Sequence, residues 1–263
     1  MINQLSSLIR EVAKQEVMSR FLNVGSCKKK DGSLLSEADL AAQKALSLGL
    51  PDVINAPVLG EEMTSEEQKT LWHQHKNSGL WVIDPIDGTT NFINGIPHFA
   101  LSIAFIENAR PQIGAIFNPI SLEFFHAQRG QGAFLNDTPL PLKQHVNHLS
   151  ESILGVDTKY LWPGKLVSRL QTVCPCASQR NMGCSTLDWC FLAAGRYDLY
   201  LHGGQKLWDY AAGSLILEEA GGQVATLEED DLWSGLHTWK RSVIAGLQPE
   251  LFRSWTRWVR QNQ

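Results

Sequence analysis

The chain has 263 residues, 43% of them hydrophobic and 19% charged. That balance supports a large buried core and excludes disorder and collagen-like repeats. A formal net charge of −4 leaves no basic surplus for nucleic acid or an anionic membrane.

The first segment is expected to be helical. Leu5, Leu8, Ile9 and Val12 recur at three- and four-residue spacing, and Phe21 extends the stripe. Cys27–Gly32 reads as a lysine-bearing loop. Ser36 then looks like the N-cap of a helix running to about Leu48, stopping at Gly49 with Pro51 just beyond. Ala56–Leu59 is a short extended run ending in Gly60-Glu61-Glu62, and Ser65–Lys76 is a polar helix. Leu80–Ile83 is a continuous apolar strand ending at Asp84-Pro85, which implies burial on both faces. Strands over Ala100–Ile106, Gln112–Phe117 and Leu122–Ala127, joined by short turns, predict an antiparallel meander.

The second half changes rhythm. Strands are expected at Ile153–Val156, Leu199–Leu201, Gln223–Leu227 and Ser242–Ala245. Helices are expected over Tyr160–Val173, Ser185–Ala194 and Trp208–Ala220, with a last one from about Pro249. The whole reads as one compact unit over 1–263, in two halves with a soft boundary at Thr138–Ser150. No run approaches the ~20 apolar residues of a membrane-spanning helix. Met1–Leu5 lacks the start of a signal peptide, so a cytoplasmic protein is expected.

Several features carry ordinary explanations. Five cysteines at irregular spacing make a poor disulfide framework, and Cys174-Pro175-Cys176 lacks the spacing of a zinc knuckle. His73 and His75 point in different directions on a polar helix. The stripe Leu251, Phe252, Trp255, Trp258 and Val259 is best read as a terminal helix docked on the core rather than on a membrane.

Acidic residues carry the chemistry. The segment Trp81-Val82-Ile83-Asp84-Pro85-Ile86-Asp87-Gly88-Thr89-Thr90 delivers Asp84 at a strand end and returns Asp87 three residues later. Gly88 permits close backbone approach, and Thr89 and Thr90 offer hydroxyls and N–H groups at a helix start, where anions are favoured. Two hard oxygen anions beside an anion cradle are reconciled by a divalent cation, best Mg²⁺. The bland reading is a turn built on Asp-Pro and Asp-Gly. Glu61-Glu62 alone is a solvated loop, and Asp209 in Trp208-Asp209-Tyr210-Ala211-Ala212-Gly213 an N-cap. Asp39 has a cap reading too, in Ser36-x-x-Asp39.

In that order, Asp39, Glu61-Glu62, Asp84-Pro85-Ile86-Asp87-Gly88-Thr89 and Trp208-Asp209-Tyr210-Ala211-Ala212-Gly213 resemble the signature of the inositol monophosphatase family, Mg²⁺-dependent and Li⁺-sensitive phosphatases. The likeness runs from about Asp31 to Gly222. It implies an α/β (α+β) layered sandwich, an α-β-α-β-α stack, and a homodimer. It further implies metal ligation by Glu61, Asp84, the Ile86 carbonyl, Asp87 and Asp209. Glu62 would act through water, Thr89 and Asp39 would orient and activate water, and Gly88 and Thr89 would hold phosphate. Gly183, Cys184 and Ser185 correspond to the family's substrate-contacting loop. Inositol-directed relatives carry a Glu seven residues before the Trp-Asp aspartate; here that position is His202, which with Lys206 points to a more anionic substrate. The expected activity is therefore hydrolysis of a small phosphorylated metabolite such as inositol monophosphate. Alternatives are a 3′(2′),5′-bisphosphate nucleotidase, or a non-enzymatic partner of transcription machinery, as some bacterial relatives bind it.

Overall fold

The computed structural model describes residues 1–23, 25–28, 34–143, 146–161, 164–234 and 239–263. Five layers alternate helix and sheet, as the resemblance implies. The outermost contains α1 (Ile2–Val12) and α2 (Glu37–Val53). Leu5, Ile9, Leu46 and Leu50 pack there against Trp81, Ile83, Ile103 and Phe117 of a large sheet.

That sheet has seven strands in sequential order: β3 (Val58–Gly60), β4 (Leu80–Asp87), β5 (Ala100–Glu107), β6 (Arg110–Asn118), β7 (Glu123–Gln128), β8 (Ala133–Leu135) and β9 (Thr138–Pro139). β3 and β4 are parallel and the rest form the expected antiparallel meander. Side chains alternate along β4. Trp81 and Ile83 face the outer helices, while Leu80 and Val82 face the middle layer. A strand buried on both sides therefore reads as an uninterrupted apolar run.

The middle layer is α6 (Ser185–Ala193) and α7 (Leu207–Glu219), clamped between two sheets. Both helices are apolar nearly all round, as a fully enclosed helix must be. Tyr200, Val243 and Ala245 of the second sheet complete that core, while Leu199, Leu201 and Ile244 point the other way. The second sheet is ordered β11 (Ser178–Arg180), β10 (Ile153–Asp157), β12 (Leu199–Gln205), β14 (Arg241–Gly246), β13 (Gln223–Ala225). Its outer face is covered by α5 (Lys165–Val173) and α8 (Pro249–Gln261). Leu251, Trp255 and Val259 are buried there, so the C-terminal stripe is core.

Four expectations are corrected. α2 continues through Gly49 and Pro51 to Val53. A Cβ on Gly49 would lie 2.5 Å from Leu8 Cδ1, so this glycine allows α1 and α2 to approach closely rather than ending the helix. α5 begins at Lys165, not Tyr160, and Tyr160 stands exposed. The Cys27–Gly32 stretch opens in β1 (Ser26–Lys28), paired antiparallel with β2 (Leu34–Ser36), and residues 29–33 lie outside the described residues. Finally, β4 does not end at Asp84-Pro85. Asp84 pairs with Ser102 and Asp87 with Ala100, which means one extra residue on β4, a bulge that tolerates a proline.

Candidate active site

The β4 bulge sets the geometry. Residues three apart in a regular strand face opposite sides of a sheet; one inserted residue restores them to the same side. Asp84 and Asp87 thus line one cleft, about 610 Å³, with Glu61, Ile86, Gly88, Thr89, Lys206, Trp208 and Asp209. Gly88 follows with φ +87°, caps the short helix α4 (Thr89–Ile93), and lies against the His98 and Gly183 carbonyls. Phe21 packs beneath this corner, its ring 5.5 Å from Phe92 and 5.1 Å from Phe99.

The acids come from four separate places. Asp84 is 2% exposed, and its carboxyl is pushed well above the ordinary range, first by burial, then by repulsion from Glu61, Asp87, Asp209 and Asp39. Asp209 is pushed the same way by loss of water, then by Asp87 and Glu61. Asp209 is not the N-cap of α7. It is the third helical residue, and its Oδ2 accepts from the Lys206 N–H at 2.8 Å. Asp87 Oδ2 accepts from Thr186 N–H at 2.6 Å and from Ser185 Oγ at 3.3 Å, both at the start of α6.

Asp39 caps α2 with one oxygen and faces Thr89 with the other. Oδ2 closes the capping box with Ser36, accepting from Ser36 N–H at 2.7 Å. Oδ1 lies 3.3 Å from the Thr89 hydroxyl, which also sits 2.9 Å from the Ile86 carbonyl. Glu62 is half-buried beside the cleft and outside its lining. All the converging donors are carboxylate, carbonyl or hydroxyl oxygens, the set a hard divalent cation takes. Buried like charges of this kind are stable only when protonated or matched by a cation. The donors fit Mg²⁺ in kind. Among the described residues, however, no three His, Cys, Asp or Glu side chains stand close enough to close one ion's shell.

A second cavity, about 360 Å³, adjoins the cleft and shares Asp87, Tyr160, Lys206 and Asp209 with it. Gly183, Cys184, Ser185 and His202 all line it. Cys184 is buried with its thiol toward Asp87, and burial raises that thiol's pKa well above the ordinary range. His202 sits at a second bulge: it pairs with Val243, and Gln205 with Arg241. Its Nδ1 accepts from Gly204 N–H at 3.0 Å, and its Nε2 lies 3.8 Å from Asp157. Burial outweighs the pull of Asp157 and lowers its pKa to about 4, so the ring is neutral at pH 7.

The sequence model of the inositol monophosphatase family matches residues 2–262. The chain belongs to the inositol monophosphatase family. An inositol-1-monophosphatase of Mesorhizobium japonicum is 34% identical over 224 residues, 82% of this chain and 79% of that protein. Nus factor SuhB of Pasteurella multocida is 37% identical over 201 residues, 74% of this chain and 73% of its own length. Among solved structures, extragenic suppressor protein SuhB from Bartonella henselae superposes with TM-score 0.82 at 27% identity, covering 100% of this chain and 99% of that one. The Thermotoga maritima IMPase gives 0.81 at 26%, covering 99% and 96%. Membership in this inositol monophosphatase family supports a phosphatase.

Other residues at this inositol monophosphatase-like site have no motif to announce them. Gln43 Oε1 accepts from Glu62 N–H at 2.9 Å, and Gln68 Nε2, on α3 (Ser65–His75), donates to the Gly60 and Glu61 carbonyls at 2.9 and 3.1 Å. These two amides fix the Glu61-Glu62 turn. Asn91 Nδ2 donates to the His98 and Met182 carbonyls, both at 2.8 Å, tying the 182–185 loop to the β4–α4 corner. Asp188, 3% exposed with Oδ1 unbonded, and Asp157 line the second cavity. An acid one turn into an apolar helix was the only available hint of Asp188.

Proposed function

We propose that this protein is a Mg²⁺-dependent phosphomonoesterase acting on a small phosphorylated metabolite, of which inositol monophosphate is the reference case. The observation that carries it is Asp84, buried among four other acids, three of them brought from distant parts of the chain, in a member of a phosphatase family. Glu61, Asp84, Asp87, Asp209 and the Ile86 carbonyl would hold the metal. When bound, Mg²⁺ neutralises phosphoryl charge and acidifies water.

The chain's own groups do the rest. Thr89 gives its hydroxyl hydrogen to Asp39 Oδ1, which leaves its oxygen lone pairs to accept from the attacking water and align it. Asp39 is held for this by Ser36 on its other oxygen. Gly88 and Thr89 at the head of α4 receive the phosphate, and Glu62, held by Gln43, orients a second water. Phosphate monoesters hydrolyse extremely slowly unaided, so charge compensation is the main demand on such a site.

Inorganic phosphate release from inositol 1-phosphate and a panel of monoesters tests this, with Mg²⁺, with chelator and with added Li⁺. Release that needs Mg²⁺ and vanishes in Asp84→Asn is the expected result; metal-independent release, or full activity in that variant, overturns the assignment. The Nus-factor name of one relative supports a second reading, association with transcription machinery, and absence of turnover on every ester would favour it. Sedimentation tests the homodimer.

A further inference from the structure

Cys174-Pro175-Cys176 has no part in the phosphatase reading. It forms the bend between α5 and β11, with Cys174 as the residue that closes α5. Both ends of the bend are tied down. Ala177 N–H donates to the Ser152 carbonyl at 3.0 Å, and Gln179 Nε2 donates to the Leu170 carbonyl at 2.9 Å. Pro175 stiffens the middle. Both cysteines pack against the rim of the outer core, beside Leu166 and Leu170, and both are half-buried and free. A small molecule in solvent can therefore reach them.

The two thiols meet inside this bend. The Cys174 sulfur accepts from the Cys176 thiol, from the Cys176 N–H and from the Gln179 amide. The thiol contact is the strongest of these, and against the opposing effect of burial it brings the Cys174 pKa down to about 6. Cys176 is pushed up, first by holding that shared proton for Cys174 and then by burial. At neutral pH the pair is a thiolate beside a thiol. Cys184 and Cys190 differ on every count. They are 1% and 0% exposed, and burial raises both. Thiols of that kind are inert, whereas an accessible thiolate next to a second thiol is the arrangement that oxidants attack selectively.

We propose that Cys174 and Cys176 are a hydroperoxide-sensing dithiol, in which Cys174 takes the oxidant and Cys176 closes a reversible disulfide. The Cys174 sulfur attacks one oxygen of the hydroperoxide and the O–O bond breaks. Cys174 becomes a sulfenic acid, and the other oxygen leaves as water or an alcohol with a proton from solvent. The Cys176 sulfur then attacks the Cys174 sulfur. An S–S bond forms, the S–O bond breaks, and water leaves with the Cys176 proton. The two sulfurs together lose two electrons and the peroxide gains them. A ring closed across one residue is strained, and strained disulfides are the readily reduced ones. This site is independent of the phosphatase chemistry.

Peptide mapping of the full-length, folded protein tests it. Trypsin releases Leu170–Arg180, which contains Cys174 and Cys176 and no other cysteine. After treatment with hydrogen peroxide and then iodoacetamide, this peptide is expected two hydrogen atoms lighter and closed to alkylation, and dithiothreitol should restore both thiols. Before oxidation, iodoacetamide at pH 7 should modify Cys174 at least about tenfold faster than Cys190. In Cys176→Ala the reaction should stop at a Cys174 sulfenic acid that dimedone captures. Two alkylatable thiols after peroxide treatment overturn the proposal. So does a Cys174 sulfinic acid beside a free Cys176, or a disulfide from either residue to Cys27.

Discussion

Two bulged strands, one from each sheet, deliver the two walls of this site, and they are built on opposite principles. On β4 the extra residue between Asp84 and Asp87 gathers acids that repel one another. On β12 the bulge between His202 and Gln205 presents a ring held neutral by burial and by a backbone donor. The first wall sets carboxylates against one another; on the second, the His202 ring has a backbone donor at Nδ1 and Asp157 3.8 Å from Nε2. The acids of the proposed chemistry line the cleft beside β4, whereas His202, at the position where the resemblance implies an inositol-reading Glu, lines the cavity beside β12.

Substitutions on the two walls should separate accordingly. The largest effect is expected from Asp84→Asn, which should cut Mg²⁺-dependent phosphate release by about a thousandfold, some ~4 kcal/mol in the barrier. The same change removes a repelled charge, so the melting temperature measured with chelator should hold or rise. A fall in metal-free stability would show that Asp84 is a structural acid. Metal binding should also tighten as pH rises, because a carboxyl with a raised pKa must lose its proton to ligate. Calorimetry across pH reads this directly.

On the β12 wall the largest effect is on stability. His202 has a folded pKa of about 4 against 6.5 unfolded, so the unfolded chain binds the extra proton first. Its contribution is fully present above about pH 6.5 and is lost as pH falls toward 4, about 3 kcal/mol in all. In His202→Gln that portion of the acid slope in urea unfolding should disappear. An unchanged slope would mean that His202 is solvated.

Smaller effects return to the β4 wall. Thr89→Val should lower kcat by about a hundredfold, with Thr89→Ser largely restoring it, if the hydroxyl's contact with Asp39 is what matters. Gly88→Ala should cost about 1–3 kcal/mol of stability, since an L residue would be forced to φ +87° with its Cβ 3.1 Å from the His98 carbonyl. Differential scanning calorimetry is sufficient to detect that.

The legible portions of the molecule were those with short-range causes. The apolar run into Asp84, the meander, the Ser36–Asp39 cap, the α7 pattern and the amphipathic α8 all follow from spacing within a few residues. Where the reading went wrong, a distant neighbour had overruled a local rule. Gly49 looked like a stop and is a contact surface for Leu8. β11, β8 and β9 escaped because three-residue or shorter strands are too brief to show a period. Gln43 and Gln68 have no signature, because their role exists only once α2 and the helix after Glu62 flank the Glu61-Glu62 turn.

By itself, the sequence determined which acids this protein owns, the order in which they occur, and the layered fold that a chain with this signature adopts. Only the tertiary structure decided that Asp84 and Asp87 share a side, that Asp39 meets Ser36 and Thr89 at once, and that Lys240 comes over the ring of Tyr160. The reason is physical. A motif records chemistry among residues adjacent along the backbone, whereas electrostatic repulsion, hydrogen-bond satisfaction and field at a pocket depend on distances through space, which are set by how two sheets close on the α6–α7 layer.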